Sequence, residues 1–511
     1  MKNEDLSSRR RFLRTATTIA AIAAMGPLVS PARAGEARRA AAVLTLKPGP
    51  VGRIVPPQLI GLSYETLQMH NPAFFSAGNQ ALIGLLRWLN PQGVLRIGGN
   101  TSDYAVWSEY RGSLPTFQQL PHALYQRPYV VTPEQLSRLA DFLRATGWRL
   151  IFGVNAHRGS PAMAAQLAQA VKQAVGDRLE AIQIGNEPNE YRHDDGRIFS
   201  VDDYMALWRQ AAQTIRQQVR VPLAGPDTGA NTDWVLRFAE QAEDIVALSR
   251  HYYRGGAPEP TTSIAQLLAG DPGFLDEVAR IARVARARQR PFWLTEVNSY
   301  WGGGKLGVSN TFASALWGGD FALACAQAGV DGINIHSGVL SVLEASLDKN
   351  AVAAPSDAGY RERIDAISGR YTPIAGDVGA GFYARPLYYG LLLAQQFGGG
   401  QFIDTALNAD GSHLTAYAAA KQGRRLLAVF NKDMQRDVDL RVEAGAAALR
   451  ARVWRLQAPS LEDVHEVRFA GCEVGSAGEW SPRHEEVVPV SAGSFTLHLP
   501  RGSAALVFVE A

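Results

Sequence analysis

The chain has 511 residues, of which 46% are hydrophobic and 19% are charged. This is the composition of a globular protein with room for more than one domain, and it excludes a disordered or collagen-like chain. Two cysteines are too few for a disulfide framework, and 51 basic against 48 acidic residues give no large charge for binding nucleic acid.

Residues 1–34 have the pattern of an export signal. The sequence "SSRRRFL" is typical of a twin-arginine signal, an Ala-rich apolar run follows it, and Ala32-Arg33-Ala34 fits a cleavage site. Removing residues 1–34 takes the basic residues from 51 to 45 and the acidic residues from 48 to 46. We therefore expect an exported protein, periplasmic or extracellular, that after cleavage binds neither nucleic acid nor a membrane.

Residues 59–397 alternate short apolar segments with helical patterns. Eight segments have the length and composition of buried strands, namely 59–65, 93–99, 149–155, 181–187, 221–227, 245–253, 291–299 and 332–338. Helical patterns lie between them, for example at 133–146 and 161–175, and the last is near 385–397. This count predicts a (β/α)8 barrel, of fold class α/β, with an open doubly wound sheet as the alternative.

The pattern changes after residue 397. Residues 398–511 contain short alternating segments such as "RLLAVFNKD" and "SFTLHLP" separated by polar turns. They predict an appended antiparallel β-sandwich domain. Within residues 35–58, the segment "AAVLTLKPG" is expected to add an N-terminal strand to that domain.

Two carboxylates lie at the predicted C-terminal ends of barrel strands, where barrel enzymes build their active sites. Glu187 follows strand four in "IGNEPN", and Glu296 follows strand seven in "TEVNSYWGGG". Glycoside hydrolysis needs such a pair, one to protonate the leaving oxygen and one to attack the anomeric carbon or activate water. Arg96, on strand two, is expected to support a carboxylate.

Five segments in order along the chain, "GLSYE", "RIGGN", "IGNEPN", "HYY" and "TEVNSYWGGG", together resemble glycoside hydrolase family 79. That family contains β-glucuronidases and heparanases. The resemblance implies a retaining glycosidase that cleaves β-linked glucuronic acid from oligo- or polysaccharides through a covalent glycosyl-enzyme. Glu187 would be the general acid/base and Glu296 the nucleophile, with no metal and no organic cofactor.

The resemblance also implies a set of substrate contacts. Asn186 would bind the sugar 2-hydroxyl, Glu65 would accept hydroxyls of the terminal sugar, and Tyr252 would donate to Glu296. Asn100, Asn155, Asp227 and His251 are interpreted as residues that hold loops, and His336 is undecided.

The uronate carboxylate would be bound by tyrosine hydroxyls and by backbone N–H groups of Gly302 and Gly303. The family pattern has a tyrosine where this chain has Trp301. Either Tyr300 supplies the hydroxyl or that bond is missing. Tyr371 is the candidate for a second tyrosine.

Two other functions remain open from the sequence. A barrel glycosidase for a neutral β-glucoside or β-xyloside fits the departure at Trp301, and a secreted carbohydrate-binding protein without turnover is the alternative of another class. The sequence leaves open exo or endo cleavage, the natural glycan and the oligomeric state.

Overall fold

The computed structural model of the protein describes residues 40–113, 128–338 and 359–510. The predicted export signal lies outside the described residues, as do residues 339–358 of the long segment after the eighth predicted strand. Among the described residues, no helix is both long enough and apolar enough to cross a membrane.

Strands and helices alternate through the first part of the chain. The strands are β1 (Ala40–Leu46), β2 (Ile60–Glu65), β3 (Val94–Gly98), β4 (Ala105–Trp107), β5 (Tyr129–Val131), β6 (Arg149–Val154), β7 (Leu179–Ile184), β8 (Leu223–Thr228), β9 (Ile245–Gly256), β10 (Phe292–Trp301) and β11 (Gly332–His336). The helices are α1 (Gln80–Leu89), α2 (Pro133–Thr146), α3 (Pro161–Val175), α4 (Val201–Gln218), α5 (Thr232–Gln241), α6 (Ile264–Leu268), α7 (Pro272–Ala287), α8 (Phe312–Ala328), α9 (Tyr360–Ile367) and α10 (Pro386–Gln395).

Eight of these strands close into a parallel barrel in the order β10-β11-β2-β3-β6-β7-β8-β9. The barrel prediction is confirmed, and the open doubly wound sheet is wrong. Local signals explain the helix starts, since α2 follows a capping box at Thr132 and carries proline at its first position. Ser160 caps α3 in the same way, by accepting a hydrogen bond from the backbone N–H of Met163.

The barrel interior is apolar at one end and polar at the other. Near the N-terminal ends of the strands, six side chains form an apolar cluster: Val94, Ile151, Ala181, Ala224, Ala247 and Trp293. Further along the same strands the buried inward residues are polar, among them Ser63, Arg96, Gln183 and Thr295. Buried polar groups need partners, so this end of the barrel is built as a hydrogen-bonded network.

The remaining strands form a small hairpin and two larger sheets. They are β12 (Ile374–Asp377), β13 (Gly381–Ala384), β14 (Gln401–Ile403), β15 (Thr405–Asn408), β16 (Leu414–Lys421), β17 (Arg424–Asn431), β18 (Val438–Glu443), β19 (Arg450–Gln457), β20 (Arg468–Phe469), β21 (Glu486–Pro489), β22 (Ser494–Leu499) and β23 (Ser503–Glu510). One sheet has four strands, β15-β1-β18-β22, and the other has seven. Side chains of both sheets share one apolar core, as in a sandwich.

The N-terminal strand β1 lies inside the four-stranded sheet, between β15 and β18. It runs antiparallel to β15 but parallel to β18. The sequence predicted an antiparallel sandwich, but the β1–β18 pair makes this sheet mixed. A parallel pair requires a long connection, and here the entire barrel is that connection.

Candidate active site

Glu187 lies on a tight turn beyond the end of β7. The strand was predicted to reach Glu187, but it ends at Ile184 because Gly185 has φ 86° and turns the chain away. Glu187 itself has φ 46°, a left-handed conformation that costs a non-glycine residue roughly 1–3 kcal/mol. The Glu187 backbone N–H donates to the Asp227 carbonyl at 2.9 Å. The turn thus presents the carboxylate over the barrel rather than along the strand.

Glu296 lies in the middle of β10, not at its end. The pairing of β10 with β9 shifts register between Leu294 and Glu296, and such bulges re-aim side chains next to active sites. The strand continues to Trp301 and rises above the barrel beside β9. The Glu296 carboxylate accepts hydrogen bonds from Arg96 at 2.7 Å and from the Tyr253 hydroxyl at 2.8 Å.

The two glutamates face each other across the mouth of the barrel. A carboxylate oxygen of Glu187 and one of Glu296 lie within 4.8 Å of each other, with a ring nitrogen of His251 inside the same distance. Glu296 is buried, whereas about a quarter of the Glu187 side chain (24%) is exposed. One carboxylate is therefore held rigidly inside the barrel, and the other is open to an incoming molecule.

Arg96 is the centre of the network beneath the glutamates. Its buried guanidinium donates to Glu296, to Asp227 and to the Asn186 side-chain oxygen, each at 2.7 Å. Gly98 leaves room for it, since a Cβ there would lie 2.6 Å from the guanidinium carbon. A buried arginine is stable only with such partners, so Arg96 fixes three site residues at once.

The charges around Glu296 keep it ionised. Burial alone would raise the pKa of the Glu296 carboxyl, but the charges of His336, His251 and Arg96 outweigh it. With the Tyr253 hydrogen bond, they hold the pKa of Glu296 well below its usual range. A permanently ionised carboxylate is suited to be a nucleophile.

His251 carries the positive charge that lies closest to Glu187. Its Nδ1 is 3.0 Å from a Glu187 oxygen and its Nε2 is 3.2 Å from an Asp227 oxygen. Burial opposes protonation, but the Asp227 and Glu296 charges overcome it and raise the pKa of His251 to about 10. Because an imidazolium carries an N–H donor on both nitrogens, His251 can donate to Glu187 and to Asp227 at once.

Asn186 and Glu65 border the same space. Asn186 accepts from Arg96 and donates through its side-chain nitrogen to Asn100 at 3.1 Å. Glu65 ends β2 and accepts from the backbone N–H of Thr101 at 2.9 Å and from its hydroxyl at 2.7 Å. Burial raises the pKa of the Glu65 carboxyl, and the Glu296 charge adds to the effect.

The chain was compared with known proteins. No protein-family model matches the chain. Over 302 residues the chain is 25% identical to a β-glucuronidase of Aspergillus niger, covering 53% of this chain and 55% of that protein. Over 337 residues it is 26% identical to the heparanase of Mus musculus, covering 55% of this chain and 62% of that protein. It spans less than two thirds of either relative.

Over about half of its length the chain is therefore similar to β-glucuronidases and heparanases, the proteins of glycoside hydrolase family 79. A solved structure, the 4-O-α-L-rhamnosyl-β-D-glucuronidase of Fusarium oxysporum 12S in complex with Rha-GlcA, covers 91% of this chain and 99% of its own. The TM-score is 0.71 at 17% identity, so this likeness establishes the fold alone. The resemblance to family 79 that the five sequence segments indicated is confirmed.

The tyrosine that donates to the Glu296 carboxylate is Tyr253, so the prediction of Tyr252 is wrong. The Tyr252 hydroxyl donates to Asp271 at 3.0 Å, and its ring stacks on Phe274, outside the barrel. Side chains alternate along a strand, and β9 pairs His251 with Glu296. The inward residues of "HYY" are therefore the histidine and the second tyrosine.

The loop expected to bind a uronate carboxylate differs from the family pattern. Tyr300 is fully buried and its hydroxyl donates to the Gln266 side chain at 3.1 Å, so it does not replace the missing tyrosine. Trp301 is 49% exposed, above the barrel. Gly302 and Gly303 have φ 80° and 83° and form a turn that other residues rarely adopt.

Tyr371 is brought to this site from a distant part of the chain. Its ring centroid lies 6.3 Å from that of Tyr253 and 6.1 Å from that of His336. The Tyr371 carbonyl accepts from Asn298 at 3.0 Å, and the preceding residue, Arg370, donates its backbone N–H to Gly303 at 2.6 Å. The structure thus joins Tyr371 to the glycine loop.

Three residues that the sequence interpretation did not assign to the site lie at its centre: Asp227, His251 and His336. Asp227 bridges Arg96 and His251, and His336 Nδ1 lies 3.7 Å from a Glu296 oxygen. Asp227 and His336 lie at or near the C-terminal end of a barrel strand, whereas His251 lies in the middle of β9. Strand position alone would have found the first two, and the alternation of side chains along β9 would have found His251. Asn155 does hold a loop, since it accepts from the backbone N–H groups of residues 158 and 159.

Proposed function

We propose that this protein is a retaining glycosidase that cleaves β-linked glucuronic acid from glycans. The separation of the two carboxylates is the observation that carries the proposal. Oxygens of Glu187 and Glu296 lie within 4.8 Å, near the ~5–5.5 Å of retaining glycosidases and short of the ~6.5–9.5 Å of inverting ones. Between them there is room for direct attack on a sugar but not for an intervening water.

In the proposed reaction the ionised Glu296 attacks the anomeric carbon while Glu187 protonates the departing glycosidic oxygen. The bond from carbon to that oxygen breaks, and an ester between the sugar and Glu296 forms. Ester formation removes the negative charge on Glu296. Glu187 then takes a proton from an incoming water, whose oxygen attacks the anomeric carbon. The bond from that carbon to the Glu296 oxygen breaks, which releases the sugar and restores the Glu296 carboxylate.

Neighbouring groups would assist both steps. Arg96 and Tyr253 hold Glu296 for in-line attack, since both bond its carboxylate. Asn186, oriented by Arg96 and Asn100, would bind the 2-hydroxyl of the sugar, a contact that strengthens in the transition state. Glu65 would accept further hydroxyls of the terminal sugar.

Glucuronic acid is the proposed sugar because the relatives that the chain matches are named β-glucuronidase and heparanase. Tyr371 and the backbone of the glycine loop would bind its carboxylate. The test is hydrolysis of p-nitrophenyl β-glucuronide beside the matching glucoside and xyloside. We expect the glucuronide to be preferred at least tenfold in kcat/KM, and proton NMR of the first sugar released to show the β-anomer. Release of the α-anomer would overturn retention.

A neutral β-sugar is the second candidate, favoured by one observation. The Tyr300 hydroxyl is buried and donates a hydrogen bond to Gln266, and Trp301 occupies the position where the family pattern has tyrosine. If that missing hydroxyl decides specificity, the glucoside or xyloside is the better substrate in the same assay. The mechanism would stand and the substrate would change.

We also propose that the protein is exported, on the basis of the sequence of residues 1–34. Replacing Arg9, Arg10 and Arg11 with lysine tests this. The variant should accumulate inside the cell in unprocessed form. Equal export of the variant and the natural chain would contradict a twin-arginine route.

A further inference from the structure

A buried carboxyl group lies behind the turn that carries Glu187. Both Asp103 oxygens accept from the Tyr191 hydroxyl, at 2.9 and 2.8 Å. The Tyr191 oxygen in turn accepts the backbone N–H of Asn186 at 2.9 Å. Two successive hydrogen bonds therefore connect Asp103 to the residue next to Glu187.

The Tyr191 side chain is closely packed on several sides. A Cβ on Gly185 would lie 2.5 Å from its hydroxyl oxygen. The His157 ring stacks on the Tyr191 ring, with centroids 4.0 Å apart and planes 9° from parallel. Tyr191 is 4% exposed and Asp103 is 6% exposed. The turn, the ring and the carboxyl group are thus fixed as one unit.

The Asp103 carboxyl group is buried, which is costly for a charged group. Among the described residues it forms no ion pair, although the charge of Arg158 acts on it from a distance. Burial raises the pKa of Asp103 to about 7, against the Tyr191 hydrogen bond and the backbone N–H groups of Ala156 and His157. A neutral side chain of the same shape would avoid the desolvation of a charge.

We propose that Asp103 is a positioning residue that acts through the Tyr191 hydroxyl to hold the turn carrying Asn186 and Glu187. The proposal rests on the proposed glycosidase function. A carboxylate that accepts from Tyr191 polarises the phenol and makes its oxygen a better acceptor for the Asn186 N–H. Because Glu187 has a strained φ of 46°, its turn needs such support to keep the acid aimed at the glycosidic oxygen.

The dependence of the rate on the leaving group tests this. Phenyl β-glucuronide needs a proton on its leaving oxygen, whereas 2,4-dinitrophenyl β-glucuronide does not. We expect Asp103→Asn and Tyr191→Phe each to lower kcat/KM for the phenyl substrate about fivefold to tenfold, as for the loss of one hydrogen bond. For the dinitrophenyl substrate kcat/KM should change less than twofold. Attack by Glu296 is untouched, and the Asn186 side chain keeps its hydrogen bonds to Arg96 and Asn100.

Tyr417→Phe is the matched control. It removes another buried tyrosine–aspartate hydrogen bond, from Tyr417 to Asp320 at 2.7 Å, where the barrel meets the sandwich. It should leave the rates for both substrates unchanged. If Asp103→Asn does not fold, Tyr191→Phe, which keeps the stacked ring and the Asp103 carboxyl group, carries the test alone.

Two outcomes would overturn the role of Asp103: equal losses with both leaving groups, or no loss in Tyr191→Phe. Turnover by the wild type distinguishes a failure of the Asp103 proposal from a failure of the proposed glycosidase function. If the wild type cleaves only glucosides, the same pair of leaving groups on glucose gives the comparison. If it cleaves no glycoside, both proposals fail.

Discussion

At the residue scale, the contrast between two neighbouring tyrosines is informative. Tyr253 donates to Glu296, the proposed nucleophile, whereas Tyr252 donates to Asp271 outside the barrel. Hydrogen bonds to a charged group contribute about 1.5–3 kcal/mol. We expect Tyr253→Phe to lower kcat about 10- to 100-fold, and Tyr252→Phe to lower it less than threefold. Steady-state kinetics on an aryl β-glucuronide measure both, and the reverse order would contradict the assignment.

Because of His251, the stability of the protein should fall as the pH becomes alkaline. Its pKa is raised from 6.5 to about 10 by Asp227 and Glu296 despite burial. The stabilisation is therefore fully present below pH 6.5 and is lost as the pH rises through about 10. The slope approaches about 1.4 kcal/mol per pH unit for one proton.

The free energy of unfolding, measured in urea between pH 7 and 10, should fall less steeply in His251→Asn than in the wild type. Substitution of the exposed His465 with asparagine is the control and should leave the slope unchanged. Identical slopes in all three proteins would show that His251 is neutral in the folded state.

At the element scale, the turn after β7 depends on a glycine. Gly185 has φ 86°, and a Cβ there would meet the Tyr191 hydroxyl at 2.5 Å. Gly196 also has a positive φ of 83°, but a Cβ there would meet no atom within 4 Å. Gly196→Ala therefore adds only backbone strain, of about 1 kcal/mol, and no clash. We expect Gly185→Ala to lower kcat/KM more than tenfold and Gly196→Ala less than twofold. Comparable rates would mean that the turn tolerates displacement.

The same elements show what the sequence could predict. The barrel strands were recognisable because parallel strands buried on both faces are continuously apolar. Their ends were not, because a positive φ at Gly185 and a bulge in β10 are set by tertiary contacts. Glu187 was found from its place just beyond a strand, and Glu296 from a predicted strand end that the structure places in the middle of β10. His251 and Tyr253 required the alternation of side chains along β9 to be taken into account.

At the scale of the whole molecule, a buried ion pair joins the barrel to the sandwich. Lys432, 4% exposed, contacts Asp320 of α8 at 2.6 Å, and Tyr417 donates to the same carboxylate. Breaking such a pair costs about 3–5 kcal/mol because a buried charge loses its partner. Lys432→Met should lower the free energy of unfolding by about that amount, with kcat unchanged in the folded protein.

The exposed ion pair between Arg144 and Asp141 provides the control. Arg144→Gln should lower the free energy of unfolding by less than about 1 kcal/mol. Urea unfolding followed by fluorescence measures both variants. An equal, small effect of the two substitutions would mean that water reaches Lys432 in the folded state.

The place of β1 in the sandwich has a consequence for synthesis on the ribosome. β1 is made before the barrel, yet Ala40 pairs with Val438 of β18, almost the whole chain later. At roughly 5–20 residues per second, that strand waits about 20–80 s for its partners. During this time the apolar residues Val43, Leu44 and Leu46 lack the two neighbouring strands that pair with them in the folded protein. The nascent chain is therefore expected to need a chaperone at its N-terminal end until translation is nearly complete.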